Sequence, residues 1–189
     1  DNIEINRSGK NYHFDKLANV VQRWGYGFYH FLSEQLPKIL YLQKFLLSTN
    51  PDVKLLTYYN ENFISEILDI CGISQNSIIE FSNSCNYNVK ELYFSKPIYC
   101  GNPSKEDIGI IREYLNINDN IEDNLDEGEQ PIGIIIKRAK GQVRSIINFD
   151  NIEIVIKDKI RDRKWVVFEH LSIKDSINLF KKADIIVAP

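Results

Sequence analysis

The sequence has no long hydrophobic run and no excess of positive charge, and each absence excludes a class of protein. No window approaches the ~18 to 20 consecutive apolar residues that a membrane-spanning helix requires. The 189 residues carry a formal net charge of −3, so no basic surface for nucleic acid is indicated. No secretory signal peptide is visible, and we expect a cytoplasmic protein. Because the chain starts at Asp1 and not at Met, we expect a native N-terminus to be missing, and the secretory-pathway lumen is the alternative location.

Motifs for metals and dinucleotides are absent as well. The three cysteines, Cys71, Cys85 and Cys100, lack the spacing of metal ligands. We interpret them as free, mostly buried thiols in a reducing compartment. The sequence contains no DxD triplet, no HExxH and no GxGxxG, so it predicts neither a metal site nor a cofactor.

Hydrophobic patterning predicts an α/β protein in two parts. The chain is 43% hydrophobic and long enough for one large domain or two small ones. Strands and helices alternate over 1–115, which we interpret as one α/β domain. Its strand candidates are "DVKLLTYY", "SIIEFS" and "NVKELYFS", and its helix candidates are the stretch around His30, "ENFISEILDICGI" ending at Gly72, and "SKEDIGIIREYL" with Ser104 as N-cap. The acidic stretch 116–131 is interpreted as a linker or mobile loop, with a solvated loop inside one domain as the alternative.

The segment 132–189 repeats the alternation more clearly. The runs "IGIIIK" and "KWVVFEH" predict strands buried on both faces, and "DIIVAP" predicts a third strand. Helices are predicted for "FDNIEIVIKDKI" and, with Ser172 as N-cap, for "SIKDSINLFKKA". This order is half of a doubly wound parallel sheet, in which ligands bind at the carboxyl ends of the strands. Because the chain stops at the end of the third strand, we expect this second domain to be incomplete.

The stretch "WGYGFYHFLSEQLPKILYLQKFL", residues 24–46, begins as an aromatic loop with glycines and becomes a helix. Pro37 favours a bend or the start of the regular helix. Helical spacing separates a polar side from an apolar side; the polar side carries His30, Glu34, Pro37 and Tyr41, and the apolar side carries Leu32, Leu36, Ile39 and Leu46. Folding does not require His30 and Glu34 on the polar side, so both are candidates for proton transfer. The alternative is a half-buried histidine that a neighbouring glutamate satisfies.

Two further groups of polar residues follow predicted strands. Lys137 and Arg138 end the first strand of the second part, and a short loop with Arg144 leads to a helix that begins near Asn148 or Asp150. Cations before a helix N-terminus form a natural anion site, although a solvated basic loop explains the same composition. Glu169 ends the next strand, where it accepts hydrogen bonds from ribose hydroxyls or caps the following helix.

Together, three stretches in this order resemble glycosyltransferase family 61, which includes xylan, capsular-polysaccharide and EGF-domain glycosyltransferases. The family pattern Y/F-H-F/W-x-x-E-x-L-P-[RK] corresponds here to "YHFLSEQLPK". A strand ending in [SK]-R and the pattern R-x-I-x-N-x-[DE] correspond to "IIIKR" and "RSIINFD". The third pattern corresponds to "FEHLSIKDSINLFKKADIIVAP", with Ser176 where glutamine is usual. The family normally continues with His-Gly-Ala-Gly, which helps to hold the nucleotide diphosphate, and this motif is absent.

The resemblance implies a GT-B architecture, with two Rossmann-like domains facing across a cleft. Residues 1–115 are then the acceptor-side domain, and 132–189 are the first half of the nucleotide-sugar-binding domain. It implies an inverting, metal-independent transferase that moves a sugar from a nucleotide-sugar donor, UDP-linked, to a hydroxyl of a glycan or glycoprotein acceptor. His30 and Glu34 are then the catalytic residues. The residues implied in donor binding are Lys137, Arg138, Arg144, Asn148 and Glu169. Arginine and lysine would stabilise the departing diphosphate where other enzymes use Mg²⁺.

Two other functions compete with this one. The first is a catalytically inactive binding or scaffold module with a glycosyltransferase-like fold. The second is an unrelated Rossmann-type enzyme such as a nucleotide-sugar epimerase, which the missing glycine-rich loop disfavours. The sequence does not identify the donor sugar or the acceptor, and it leaves open which of His30 and Glu34 is the base.

Overall fold

The computed structural model describes residues 9–95, 98, 100–117, 125–138, 145–169 and 171–189. The chain divides into two compact units, Asp1–Leu115 and Asn116–Pro189. Each unit contains one parallel sheet with helices between its strands. The predicted α/β fold with parallel sheets is therefore confirmed. Residues 118–124 of the predicted linker lie outside the described part of the chain.

The sheet of the first unit has four parallel strands in the order β3-β2-β1-β4. The strands are β1 Asn11–Asn19, β2 Lys54–Thr57, β3 Ile78–Glu80 and β4 Asn86–Tyr93. The last three lie in segments that the sequence predicts as strands. The central strand β1 was not predicted, because only Leu17 and Ala18 within it are buried apolar residues and its other positions give a weak pattern.

The stretch predicted as an apolar helix forms one continuous helical run, here called the long helix, over residues 28–47. It consists of α1 Phe28–His30, the π-helix π1 Phe31–Gln35, α2 Leu36–Leu42 and the π-helix π2 Gln43–Leu47. The regular helix begins at Leu36 with Pro37 in its first turn, as the proline predicts. A π-helix bonds residue i to i+5 and shifts the phase of the side chains, so the predicted division into two sides is wrong. Residues 33–40 are buried on every side.

Two shorter α-helices and a 3₁₀ turn at Gln75–Ser77 complete the described part of the first unit. α3 spans Asn62–Ile70 and ends before Gly72, whose φ of 71° is the left-handed conformation that the predicted helix stop requires. α4 spans Lys105–Tyr114. The predicted N-cap Ser104 accepts a hydrogen bond from the Asp107 backbone N–H at 3.1 Å, and the Asp107 carboxylate accepts one from the Ser104 N–H at 2.8 Å. This reciprocal pair fixes the start of α4.

The second unit has three parallel strands in the order β6-β5-β7. The strands are β5 Ile132–Ile136, β6 Lys164–Phe168 and β7 Ala183–Val187, and the helices are α5 Phe149–Lys159 and α6 Ile173–Lys181. All five lie where the sequence predicts them, and Ser172 caps α6 by accepting from the Asp175 N–H at 3.0 Å. The prediction that β6 is buried on both faces is wrong, because β6 is an edge strand and its apolar residues are half-buried. Only the central strand β5 is largely buried.

Among the residues that the structure describes, no helix combines the length and the apolar character needed to cross a bilayer.

Candidate functional site

The loop before the long helix is shaped by tight turns around Trp24 and Gly25. Trp24 has a φ of 69°, which a side chain of its size rarely adopts. A Cβ at Gly25 would lie 2.1 Å from the Oε1 of Gln35 and 3.1 Å from the Tyr58 ring, so only glycine fits. Gln35 is fully buried, and its Nε2 donates to the Thr57 hydroxyl at 2.7 Å. The loop therefore packs against a helix that is anchored to the end of β2.

The long helix brings His30 and Glu34 together. His30 is the last residue of α1, and Glu34 lies in π1, a type of helix that is frequent at functional sites. The Nδ1 of His30 lies 2.9 Å from Glu34 Oε1. The His30 side chain is 28% exposed and that of Glu34 is 3% exposed. The carboxylate is thus the buried member of the pair, and the imidazole lies closer to solvent.

Both oxygens of Glu34 have additional donors. Gln22 Nε2 donates to Oε2 at 2.6 Å, and the backbone N–H of Gly101 donates to Oε1 at 3.1 Å. Burial alone would raise the pKa of this carboxyl. The hydrogen bonds from His30, Gly101 and Cys100 outweigh the burial, so the pKa of Glu34 lies below its ordinary value. Glu34 is therefore an ionised carboxylate at neutral pH, and it can only accept hydrogen bonds.

A buried lysine lies behind the carboxylate. Lys38 is 9% exposed, and its Nζ donates to Gln22 Oε1 at 2.5 Å. Burial lowers the pKa of Lys38, and the negative charges of Glu34 and Asp107 offset part of that effect. A hydrogen-bonded chain consequently runs from Lys38 through Gln22 and Glu34 to the imidazole of His30. It holds both carboxylate oxygens of Glu34 in place.

Cys100 approaches the pair from a distant part of the chain. Its Sγ lies 3.7 Å from His30 Nδ1, and Glu34 raises the pKa of the thiol by hydrogen bonding and by its charge. Gly101, with a φ of 75°, follows directly and donates its N–H to Glu34. All three cysteines are free, as predicted, but Cys100 is exposed and Cys85 half-buried, so the prediction of mostly buried thiols is wrong.

Sequence reasoning missed Gln22, Lys38, Cys100 and Gly101 as parts of this site. Lys38 lies in the quoted stretch "YHFLSEQLPK", which was a usable signal. Cys100 and Gly101 are about 70 residues away from His30, and no spacing rule connects them. Their approach depends on the fold.

In the second unit, the structure brings together two of the predicted donor-binding residues. Lys137 follows β5, Glu169 follows β6, and their side chains form an ion pair at 3.0 Å. The ammonium of Lys137 also lies 5.0 Å from the centre of the Phe149 ring, at the start of α5. The hydrogen bond and the charge of Glu169 raise the pKa of Lys137, so this lysine is charged at neutral pH.

The remaining predicted donor-binding residues are placed as follows. Arg138 follows Lys137 and is exposed. Asn148 is the N-cap residue of α5, which agrees with a helix start near Asn148 or Asp150, but its side chain makes no capping hydrogen bond. Arg144 lies outside the described residues. Whether these residues bind a donor stays a prediction.

Comparison with known proteins places these residues in a family. No curated protein and no solved structure matches the chain. The family model described as Glycosyltransferase 61 matches residues 28–189, which include the long helix with His30 and Glu34 and the whole second parallel sheet. The resemblance predicted from the three stretches is therefore confirmed, and the chain belongs to glycosyltransferase family 61.

Proposed function

We propose that this chain carries the base and the donor-binding residues of an inverting, metal-independent glycosyltransferase of GT-B architecture. Family membership indicates glycosyl transfer between a sugar donor and an acceptor. The donor is a nucleotide sugar, UDP-linked, and the acceptor is a hydroxyl of a glycan or a glycoprotein. His30 is the general base, and Glu34 is a positioning residue.

The observation that carries this assignment is the hydrogen bond between His30 Nδ1 and Glu34 Oε1. An ionised carboxylate accepts only, so Nδ1 carries the imidazole proton when the ring is neutral. The lone pair is then on Nε2, the nitrogen on the far side of the ring from the carboxylate. Glu34 is a poor base by comparison, because it is 3% exposed and both of its oxygens already accept hydrogen bonds.

In these roles, the residues support a single displacement of the nucleoside diphosphate by the acceptor oxygen. Nε2 of His30 takes the proton of the acceptor hydroxyl as its oxygen attacks the anomeric carbon of the donor. The bond from that carbon to the phosphate oxygen breaks, and the nucleoside diphosphate leaves with the electron pair. Glu34 stabilises the imidazolium that forms, as a carboxylate does beside a protonated ring.

The departing diphosphate needs positive charge, which the second unit supplies in this proposal. Arg138 and Arg144 bind the phosphate oxygens, and the N-terminus of α5, with Asn148 at its cap, adds backbone donors. Lys137 is already paired with Glu169 at 3.0 Å, so its charge is partly used within the protein. We assign the larger effect to the arginines because a guanidinium can donate to two phosphate oxygens at once, and we retain Glu169 as a partner for ribose hydroxyls.

The acceptor approaches over exposed aromatic rings in the segment that leads to His30. Trp24 and Tyr26 are each 47% exposed, Tyr29 is 54% exposed, and the Tyr29 ring stands edge-on to the imidazole at 5.4 Å. The apolar C–H face of a sugar packs well on exposed aromatic rings. We expect Trp24→Ala to raise the acceptor KM severalfold while the donor Kd stays constant.

The test is transfer by the purified protein across a panel of nucleotide sugars. With the productive donor, His30→Ala should lower kcat by about 10²- to 10⁴-fold, the usual contribution of a general base. Its donor Kd should remain near the wild-type value, because the proposed donor contacts lie on the second unit. Donor binding without turnover by the wild-type protein would favour the inactive binding module. An unchanged kcat in His30→Ala would refute the base assignment.

A further inference from the structure

Three metal-ligating side chains converge at the proposed base. They are His30, Glu34 and Cys100, and one nitrogen, oxygen or sulfur ligand atom of each lies within 4.8 Å of the others. The first two come from the long helix and the third from the segment after β4. The sequence predicted no metal site because its spacing contains none, whereas the fold joins residues 70 positions apart.

We propose that these three side chains form an inhibitory binding site for a thiophilic divalent cation, with Zn²⁺ as the best fit. The inhibitory part rests on the proposed function of His30; the binding part does not. Thiolate and imidazole ligands favour Zn²⁺ and Co²⁺ over Mg²⁺ and Ca²⁺, which prefer oxygen ligands. The site is therefore distinct in chemistry from a Mg²⁺ site for phosphate.

The distances suit a zinc ion. Zinc bonds of about 2.0 to 2.3 Å in tetrahedral geometry hold a sulfur and a nitrogen ligand about 3.6 Å apart. The observed distance between Cys100 Sγ and His30 Nδ1 is 3.7 Å. The distance from Nδ1 to Glu34 Oε1 is shorter, 2.9 Å, because a proton occupies that position. An ion in place of the proton requires the two atoms to separate by about half an ångström.

The surroundings hold the ligands in place. Gln22 and the backbone of Gly101 donate to Glu34, so the carboxylate is oriented before an ion arrives. Cys100 is exposed and the His30 side chain is 28% exposed, which gives an ion access from solvent. Of the three ligands, only Glu34 is deeply buried. Its negative charge lies at the bottom of the site and would attract an entering cation.

Metal binding would remove the base through the tautomer of the ring. Coordination at Nδ1 uses that nitrogen's lone pair, so the neutral ring must carry its proton on Nε2. Nε2 then becomes a donor and can no longer take the acceptor's proton. The thiol of Cys100 releases its proton to solvent when it binds the ion. Neither oxidation nor reduction occurs, and removal of the ion restores the original tautomer.

Binding is tested with Co²⁺ as a spectroscopic probe and with Zn²⁺ by calorimetry, on the purified protein without added chelator. We expect one equivalent to bind, with the charge-transfer absorption of a cobalt–thiolate bond. Cys100→Ser should abolish that absorption and weaken Zn²⁺ binding at least tenfold. Cys85→Ser is the matched control, because Cys85 is half-buried elsewhere in the same unit, and it should behave as wild type. Equal cobalt spectra in the two variants, or no thiolate absorption in the wild type, would overturn the site.

Inhibition is tested separately, with each protein compared with its own zinc-free activity. Zn²⁺ should inhibit transfer in the wild type and in Cys85→Ser, and a chelator should restore it. The Zn²⁺ concentration that halves the activity should be at least tenfold higher for Cys100→Ser than for the wild type. Cobalt–thiolate absorption without inhibition would leave a metal site but overturn its inhibitory role. Because the spectroscopy needs no turnover, a protein with no measurable transferase activity still decides whether the site exists.

Discussion

Replacing Glu34 with glutamine tests the core of the proposed mechanism with a nearly isosteric change. In the wild type, Oε2 accepts from Gln22 at 2.6 Å and Oε1 accepts from His30 at 2.9 Å and from Gly101 at 3.1 Å. An amide has one NH₂ group, and in either orientation that group faces a donor. Turning Gln22 over does not remove the conflict, because its Oε1 already accepts from the ammonium of Lys38.

The expected loss can be estimated from this geometry. A hydrogen bond to a charged group contributes about 1.5 to 3 kcal/mol, which corresponds to a rate loss of about 10- to 150-fold if the bond orients and stabilises the imidazole. We expect kcat of Glu34→Gln to fall by this factor and the donor Kd to remain unchanged. The loss should be smaller than that of His30→Ala, because the variant retains the base.

The assay is initial-rate kinetics with saturating donor, together with thermal unfolding to show that the variant is folded. Glu61→Gln is the matched control, because Glu61 is exposed at the start of α3 and makes no capping hydrogen bond. If Glu34→Gln loses more activity than His30→Ala, Glu34 is the base and the roles are reversed. Wild-type activity in a folded Glu34→Gln would show that the pair is structural only.

The other predictions concern donor binding and stability. Arg138→Ala should weaken nucleoside diphosphate binding at least tenfold in calorimetry, because a charge-assisted hydrogen bond is lost; unchanged affinity would contradict the donor assignment. Gly25→Ala should destabilise the protein by about 1 to 3 kcal/mol, since its Cβ would lie 2.1 Å from the buried Gln35 Oε1, whereas Gly109→Ala in α4 meets no atom within 4 Å and should be neutral or stabilising. Hydrogen bonds from His30, Gly101 and Cys100 hold the folded-state pKa of Glu34 below its ordinary value, so the stabilising effect of the carboxylate is complete above the ordinary value and is lost as the pH falls through the lower folded-state value. Urea unfolding below pH 4.5 should therefore show a smaller loss of stability in Glu34→Gln than in the wild type, and parallel pH profiles would argue against this linkage.

Local signals were sufficient for most of the fold. Ser104 and Ser172 mark the starts of α4 and α6, and Gly72 marks the end of α3, because capping and left-handed turns depend on a few adjacent residues. Strand β1 escaped prediction because a strand paired on both sides can still carry polar residues on its open face. Edge strand β6 has the same apolar composition as a buried strand, and composition does not reveal its position in the sheet.

The site was predictable only where its residues are close in sequence. His30 and Glu34 are four residues apart, and a helix of either hydrogen-bonding pattern keeps them close enough to interact. Spacing did not indicate burial, however: Glu34 lies in π1, and its side chain is 3% exposed. A glutamate on an exposed helical face could serve as the base itself, whereas a buried glutamate with hydrogen-bond donors at both oxygens orients the histidine. The proposed assignment of the base therefore rests on the burial of Glu34 and its hydrogen bond to His30, which hydrophobic spacing at 100° per residue could not reveal.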